Sequence, residues 1–297
     1  MTLSICVVTM NRAKQLKEAL ESCLRCELPH DTEFVIIDNA STDNTEVVVT
    51  ELLNRHPFTY CYKKMPENIG AGGGRNLAFE LASGKYIYGL DDDAAISEQK
   101  DFFMRAIDLL ESNDKVATIT TQIYDTAWEC NRVCHSKPVH SSQLEQMYMF
   151  CAGSHFIRKE CFNMAPYWPS IYGYEELPPS LIAFDMNRLN VFIPDLLVIH
   201  KPIFNKWNFN DDNNIIYLLK ELAMPYAIKS MMFPKVFAPL LYVMFRLRCL
   251  KHIKRDKSLF ERCLQMVSDV KQAYPISKKM SFTSCVKLLF TFGFRSF

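Results

Sequence analysis

The sequence predicts an α/β fold, a mainly parallel sheet flanked by helices, followed by a basic, amphipathic helical C-terminal region. Three observations predict it. Short apolar runs alternate with helix-period segments through residue 200, the pattern of strands buried on both faces by helices. Residues capable of chemistry stand just after these runs. The charge also divides: residues 1–224 hold 20 Lys/Arg and 30 Asp/Glu, whereas residues 225–297 hold 14 and 3. That shift, next to Pro225, predicts an acidic domain over 1–224 and a basic region over 225–297.

Residues 3–8, from Leu3 to Val8, read as the first buried strand. Asn11 is a candidate cap for a helix running to about Cys26. Phe34–Ile37 is a second strand, ending at Asp38, and residues 43–55 read as helix. Phe58–Lys63 is a third strand. The glycine-rich turn Asn68-Ile-Gly-Ala-Gly-Gly-Gly74 leads into a helix through Ala82. Lys85–Leu90 is a fourth strand, with Asp91, Asp92 and Asp93 at its end. After Lys115–Thr120 the periodicity loosens, so residues 121–150 read as a variable loop region. A turn over 168–174, a helix-like run to Asn190 and the apolar segment Val191–Ile199, ending at His200, complete the body.

The chain has 297 residues, 49% hydrophobic and 23% charged, a mix that excludes a disordered chain, a collagen and a disulfide mini-protein. Eleven cysteines, an odd number, and a start without a basic, apolar leader predict reduced thiols in the cytoplasm. Cys23 and Cys26 fall inside a helix-period run and read as helix cysteines. Cys130, Cys134 and His135 lack a fourth ligand at zinc spacing. No window reaches the roughly 20 apolar residues of a spanning helix. Val236–Phe245 is apolar, bounded by Lys235 and Arg246 and followed by Arg248, Lys251, Lys254, Arg255 and Lys257. That order favours a segment lying on a membrane surface; the alternative is a helix packed on the body with a solvated basic face. An acidic body argues against nucleic acid as a partner.

In an open parallel sheet, ligands sit beyond the carboxyl ends of the strands. Thr9, Asn11, Asp38, the Asn68–Gly74 turn and the three aspartates all occupy such ends. Three adjacent aspartates repel one another, and a hard divalent cation, Mn²⁺ or Mg²⁺, resolves the repulsion. In an extended segment Asp91 and Asp93 project to one side and Asp92 to the other, so the outer two are the expected ligands. The glycine turn is neither a Walker loop nor a dinucleotide fingerprint, although its glycines permit close backbone approach and its helix start favours phosphate. Glu175 and Glu176 are candidate proton acceptors. His200 ends an apolar strand.

Taken together, Val8-Thr-Met-Asn-Arg12, Asp38-Asn-Ala-Ser-Thr-Asp-Asn-Thr45, Asn68-Ile-Gly-Ala-Gly-Gly-Gly-Arg-Asn76 and Gly84-Lys-Tyr-Ile-Tyr-Gly-Leu-Asp-Asp-Asp93 resemble family 2 glycosyltransferases over about residues 1–200, most of all the bacterial rhamnosyl- and galactofuranosyl-transferase branch. The resemblance implies a GT-A fold, a nucleotide-diphosphate sugar donor (a UDP- or dTDP-sugar), a divalent metal and inversion at the anomeric carbon. It implies that Thr9, Asn11, Arg12, Asp38, Asn68, Gly70, Gly73, Asn76, Asp91 and Asp92 bind the nucleotide sugar. Asp91, Asp93 and His200 are implied as metal ligands, and one of Glu175 and Glu176, favouring Glu176, as catalytic base. Leu177, Pro178 and Pro179 depart from the family's acidic segment. Arg188 sits where the family's helix often carries an arginine, to serve a phosphate or a salt bridge. The basic tail favours a lipid-linked glycan acceptor in cell-surface polysaccharide synthesis, at the inner membrane face; a peptide or protein acceptor is the alternative. A sugar nucleotidyltransferase would need glycines directly after the first strand, which Thr9-Met-Asn-Arg12 lacks. A non-catalytic glycan-binding protein would not need the intact acids and histidine.

Overall fold

A computed structural model describes residues 1–139, 142–162, 165–169, 173–202 and 212–297. The turn expected over 168–174 therefore falls partly outside the described residues. Two compact units divide the chain, one of Met1–Ala183 with Asn187–Ile203, the other of Phe184–Met186 with Phe204–Phe297.

The first unit is built on a mixed sheet. Strands β1 (Leu3–Thr9), β2 (Thr32–Asp38), β3 (Thr59–Lys64) and β4 (Tyr86–Asp91) pair in parallel, in the order β3-β2-β1-β4. A short β5 (Ala94–Ile96) follows β4. The sheet continues through β10 (Ser154–Arg158), antiparallel to its neighbours, then β6 (Val116–Asp125) and β11 (Leu189–His200), which are parallel to each other. Residues 121–150 are not a loop region. The end of β6 and three short strands occupy them: β7 (Cys130–Asn131), β8 (Ser136–Pro138) and β9 (Glu145–Met147). Strands of two or three residues are too short to leave a period-2 signature.

The parallel strands are buried on both faces, which is why they read as unbroken apolar runs. Leu3, Ile5, Val7, Phe34 and Ile36 face one core with helices α1 (Ala13–Leu24), α2 (Thr45–Leu53) and α4 (Phe102–Ser112). Cys6, Val35 and Ile37 face the other with α3 (Gly70–Leu81). In the first core the Tyr88 ring meets Phe102 and Phe103 edge-on, with centroids 5.6 and 5.1 Å away, pairs worth about 0.5–1.5 kcal/mol each beyond their burial. Asn11 does not cap α1. It lies in the left-handed region, φ 54°, and its side-chain oxygen accepts from the Thr42 amide at 2.7 Å. Asp43 instead accepts from the Ala13 amide at 3.1 Å.

The glycine-rich segment is helix rather than turn from Gly70 onward. Its glycines serve packing. A Cβ on Gly72 would lie 2.1 Å from the Trp168 carbonyl oxygen, and one on Gly74 would lie 2.5 Å from Val8 Cγ1. Gly72 thus lets α3 approach the backbone that leads to Glu175, whose carbonyl accepts from the Trp168 amide at 2.9 Å.

Helix α5 (Leu177–Asp185) follows Glu176. The second unit is helical: α6 (Asp212–Met232), α7 (Ala238–His252), α8 (Lys257–Ala273) and α9 (Phe282–Phe292). The charge shift at residue 224 falls inside α6, which runs through Pro225. Leu219, Leu222, Ala223, Leu241, Phe245, Cys263 and Val267 form its interior, and Tyr226 stacks on Phe245 with centroids 4.3 Å apart. Among the described residues no helix is long and apolar enough to cross a membrane.

Gly72→Ala forces a backbone collision that no rotamer relieves. A loss of about 1–3 kcal/mol of folding free energy is expected, measured by chemical denaturation; an unchanged midpoint would show that α3 and the Trp168 segment shift apart freely.

Candidate functional site

Sheet register brings the site together. Val8 of β1 pairs with Asp91 of β4, and Thr9 pairs with Asp38 of β2. His200, at the end of β11, stands opposite Asp125 of β6 and Ala94 of β5. The cleft beyond these strand ends has a volume of about 480 Å³, within the range of small-ligand sites. Thr9, Arg12, Asn39, Asn68, Gly70, Arg75, the three aspartates, Glu175 and His200 line it.

Each aspartate of the triplet has a different partner. Asp91 Oδ1 accepts from Arg75 Nη2 at 2.6 Å. Asp92 accepts from Thr9 Oγ1 at 2.7 Å and from Arg12 Nη1 at 2.9 Å. Asp93 Oδ2 accepts from the same Arg12 nitrogen at 2.7 Å, and Asp93 Oδ1 lies 3.2 Å from His200 Nε2. Asp92 and Asp93 sit in a turn rather than an extended strand and share the Arg12 nitrogen, so the sides do not simply alternate, although Asp92 turns to Thr9 and Asp93 to His200. Burial, reinforced by the charges of its two neighbours and only partly offset by Arg12 and Thr9, pushes the Asp92 carboxyl up to about 6. Burial acts the same way on Asp93, but the hydrogen bond and charge of His200, with Arg12, carry it below the usual range. For His200, burial opposes the charge, and the hydrogen bond and charge of Asp93 outweigh it, so the imidazole is raised.

Ligand atoms of Asp91, Asp93 and His200 all lie within 4.8 Å of one another. His200 Nδ1 lies 2.9 Å from Asp125 Oδ2 and 3.0 Å from Arg132 Nη2, which donates to the same carboxylate at 3.2 Å. A carboxylate behind one ring nitrogen fixes the tautomer and aims the other nitrogen. Cys130, Cys134 and His135 form no such cluster among the described residues, and all eleven cysteines are free thiols.

Arg75 links the triplet to the acidic pair. Its Nη1 donates to Glu175 Oε1 while Nη2 holds Asp91. Glu175 is thereby paired. Glu176 gains from burial, and from the negative charge of Glu175, a carboxyl well above the usual range.

Several expected contacts lie elsewhere. Asp38 is fully buried: Oδ1 accepts from the Ser41 amide at 2.7 Å and Oδ2 from the Tyr62 hydroxyl at 2.5 Å. The next residue, Asn39, lines the cleft instead. Its Nδ2 donates to the Gly70 carbonyl at 3.1 Å, and its buried Oδ1 has no partner. Asn76 is turned away from the cleft, pinning Tyr167 through both its backbone groups at 2.8 Å, and Gly73 packs on Ile69. Asn11 braces Thr42. Arg188 reaches the Asp114 carbonyl. Sequence reasoning missed Arg75, Asp125 and Arg132 as site residues. Asp125 ends a strand like the others, and the signal was hidden because β6 ends five residues beyond the apolar run that marks it in the sequence.

The sequence profile of Glycosyl transferase family 2 matches residues 4–162, more than half the chain. Abequosyltransferase RfbV of Salmonella typhimurium is 37% identical over 98 residues, which are 32% of this chain and 29% of that protein. Poly-beta-1,6-N-acetyl-D-glucosamine synthase of Staphylococcus epidermidis is 28% identical over 118 residues, 40% of this chain and 27% of that one. The chain thus spans under a third of the length of these curated relatives. S. aureus TarS 1–349 in complex with UDP-GlcNAc superposes with a TM-score of 0.64 at 16% identity, covering 93% of this chain and 82% of TarS. The Pyrobaculum calidifontis mannosyltransferase PcManGT, in complex with GDP-Man and Mn²⁺, gives 0.59 at 17% identity, covering 99% and 82%. These likenesses establish the GT-A fold, and with the profile match they place the chain in Glycosyl transferase family 2.

Proposed function

We propose that the chain is an inverting glycosyltransferase that moves a sugar from a UDP- or dTDP-sugar to a hydroxyl of a glycan acceptor carried on lipid, at the cytoplasmic face of a membrane. The observation that carries this reading is the convergence of Asp91, Asp93 and His200 within 4.8 Å, tied by Arg75 to an adjacent pair of glutamates. Poly-beta-1,6-N-acetyl-D-glucosamine synthase, a relative named for a polysaccharide, supports a glycan as the acceptor.

The donor set fits a divalent cation of the Mn²⁺ or Mg²⁺ type. It consists of two carboxylates and one imidazole, without the thiolates that structural zinc sites favour, and the imidazole is already aimed by Asp125. Asp91, Asp93 and His200 would hold the ion, which supplies positive charge against the charge that builds on a departing diphosphate. The other residues have separate tasks. Thr9 and Arg12 fix Asp92 and Asp93 in place. Asn39 and Asp38 build the wall on the nucleobase side: Asn39 Nδ2 donates to the Gly70 carbonyl, and Asp38 holds the turn beside it. Glu176 takes the proton of the acceptor hydroxyl as its oxygen attacks the anomeric carbon opposite the diphosphate. Arg75 pairs with Glu175, and the charge of Glu175 raises the basicity of Glu176.

Glu176→Gln is expected to fold, to bind donor with wild-type affinity and to lower the transfer rate by about 100-fold or more; turnover near wild type would remove Glu176 from the base role. Asp93→Ala is expected to raise the Mn²⁺ concentration at half-saturation about tenfold or more, read as the Mn²⁺-dependent thermal shift with nucleotide present. An unchanged titration would reject the ligand role.

The pH profile carries a sign. A base must be deprotonated to work, and the carboxyl of Glu176 sits above the ordinary range. The acid limb of kcat/KM is therefore expected to rise with pH above the region near 4.3 where a free glutamate titrates. A limb that stays at that ordinary value contradicts the assignment.

A further inference from the structure

Helix α7 is apolar on opposite faces. Leu241, Phe245 and Cys249 point into the second unit and are buried. Val243, Leu247 and Leu250, spaced i, i+4 and i+7, lie on the other side and are 51%, 54% and 42% exposed; Val236, one turn earlier, is 66% exposed. A helix that is apolar all round is normally covered on every side, yet within its own unit this stripe meets solvent.

The stripe runs into a cationic hollow at the α7–α8 turn. A cavity of about 180 Å³ is lined by Arg246, Leu250, Lys254, Arg255, Lys257 and Phe260, together with Cys249 and Asp256. Leu250 belongs to both features, so they are continuous. The Arg246 guanidinium lies over the Phe260 ring, 4.1 Å from its centroid. Asp256, the acid of the lining, is committed to capping α8, where its Oδ1 accepts from the Leu259 amide at 3.0 Å. None of Arg246, Lys254, Arg255 and Lys257 forms an ion pair with a described residue. The hollow therefore presents a net positive charge, four cations to one carboxylate, on an apolar floor.

We propose that this face docks on an anionic phospholipid surface, with α7 in the plane of the interface, its outward aliphatic stripe at the acyl boundary and the α7–α8 hollow around a headgroup phosphate. Charge and shape both select this occupant. A phosphate answers the four cations, and only a ligand that also carries hydrocarbon answers the adjoining aliphatic residues; a nucleic acid backbone would leave those residues in water. At 15 residues α7 is about 22 Å long, too short for a hydrocarbon core of about 30 Å, so it lies on the surface rather than across it. The proposal deepens the reading of a lipid-carried acceptor and rests on it only for the purpose of the attachment.

The test is co-flotation of the full chain with vesicles of phosphatidylcholine alone and of phosphatidylcholine with 30 mol% phosphatidylglycerol, scored beside the Mn²⁺- and nucleotide-dependent thermal shift that reports on the cleft of the first unit. Expected is binding to the anionic vesicles at least tenfold tighter than to the neutral ones, weakened by 0.5 M salt. The double variants Val243→Glu with Leu247→Glu, and Lys254→Glu with Arg255→Glu, should each lower that binding at least tenfold without altering the thermal shift. Every substituted residue is solvent-exposed, so folding should be preserved. Equal partition onto both vesicle types, or binding untouched by both variants, overturns the proposal. So does a dimer in solution that the Val243/Leu247 variant dissolves while vesicle binding is absent, which would assign the face to a second copy. A lost thermal shift with intact flotation would instead indict the donor-site reading.

Discussion

Three neighbouring aspartates share the end of β4 because Arg12 and Arg75 neutralise them from different directions. Arg12 arrives from the residue before α1 and spans Asp92 and Asp93; Arg75 arrives from the second turn of α3 and spans Asp91 and Glu175. Without these guanidiniums the half-buried carboxylates would carry uncompensated charge in a poorly solvated cleft. Removing one partner of a buried pair costs about 3–5 kcal/mol, and Arg75 is the better buried of the two. Two guanidiniums meet four carboxylates, so the chain offsets only part of the repulsion. A cation that binds there adds to that compensation while competing for oxygens that the arginines hold.

That balance depends on register. A one-residue slip in a strand turns every side chain to the opposite face, so Asp91 meets Arg75, and His200 meets Asp93, only with the observed pairing of β1, β4, β5, β6 and β11. Strand β11 secures its end despite an irregularity. Its register with β6 shifts between Ile193 and Leu197, where Pro194 lacks the N–H that a regular ladder would use, and pairing then resumes through His200. Asp125 and Arg132, both from the region around β6 and β7, close around the imidazole from the side away from Asp93. The histidine is thereby held between two carboxylates with one nitrogen committed to each.

The parallel half of the sheet and the triplet were legible in the sequence because burial on both faces writes itself as continuous apolar runs, and because chemistry collects at strand ends. Asp91 and Asp93 could be singled out from those ends, whereas His200 was marked as a metal ligand only by the resemblance to family 2 glycosyltransferases. Asn76 and Gly73 could not be separated from the cleft residues by sequence, since a glycine that admits a neighbouring backbone and one that admits a ligand look the same. The same limit applied to Asp38 and Asn39: which of two adjacent polar residues is consumed by its own turn depends on Tyr62, 24 residues away. Strands β7, β8 and β9 were invisible because they are two or three residues long and exist only as additions to an established edge. Arg132 had no signal at all, being an exposed-type residue recruited by a fold that brings β7 back along β6.

The adjacent glutamates show how a single cation can give two like residues different chemistry. Glu175 is drawn into the bridge with Arg75, and its carbonyl is held by the Trp168 amide, so both its side chain and its backbone are fixed. Glu176 is half-buried beside that fixed negative charge. Pairs of acids whose environments push their affinities for protons apart are the usual basis of acid–base division of labour, and here the asymmetry originates in the close approach that Gly72 permits. The glycine run, the arginine three residues after Gly72 and the acidic pair a hundred residues further on therefore form one mechanical unit. In the proposed transfer, the spacing Gly72-Gly-Gly-Arg75 matters less as a phosphate cradle than as the device that brings one guanidinium between a strand-end aspartate and the neighbour of the base.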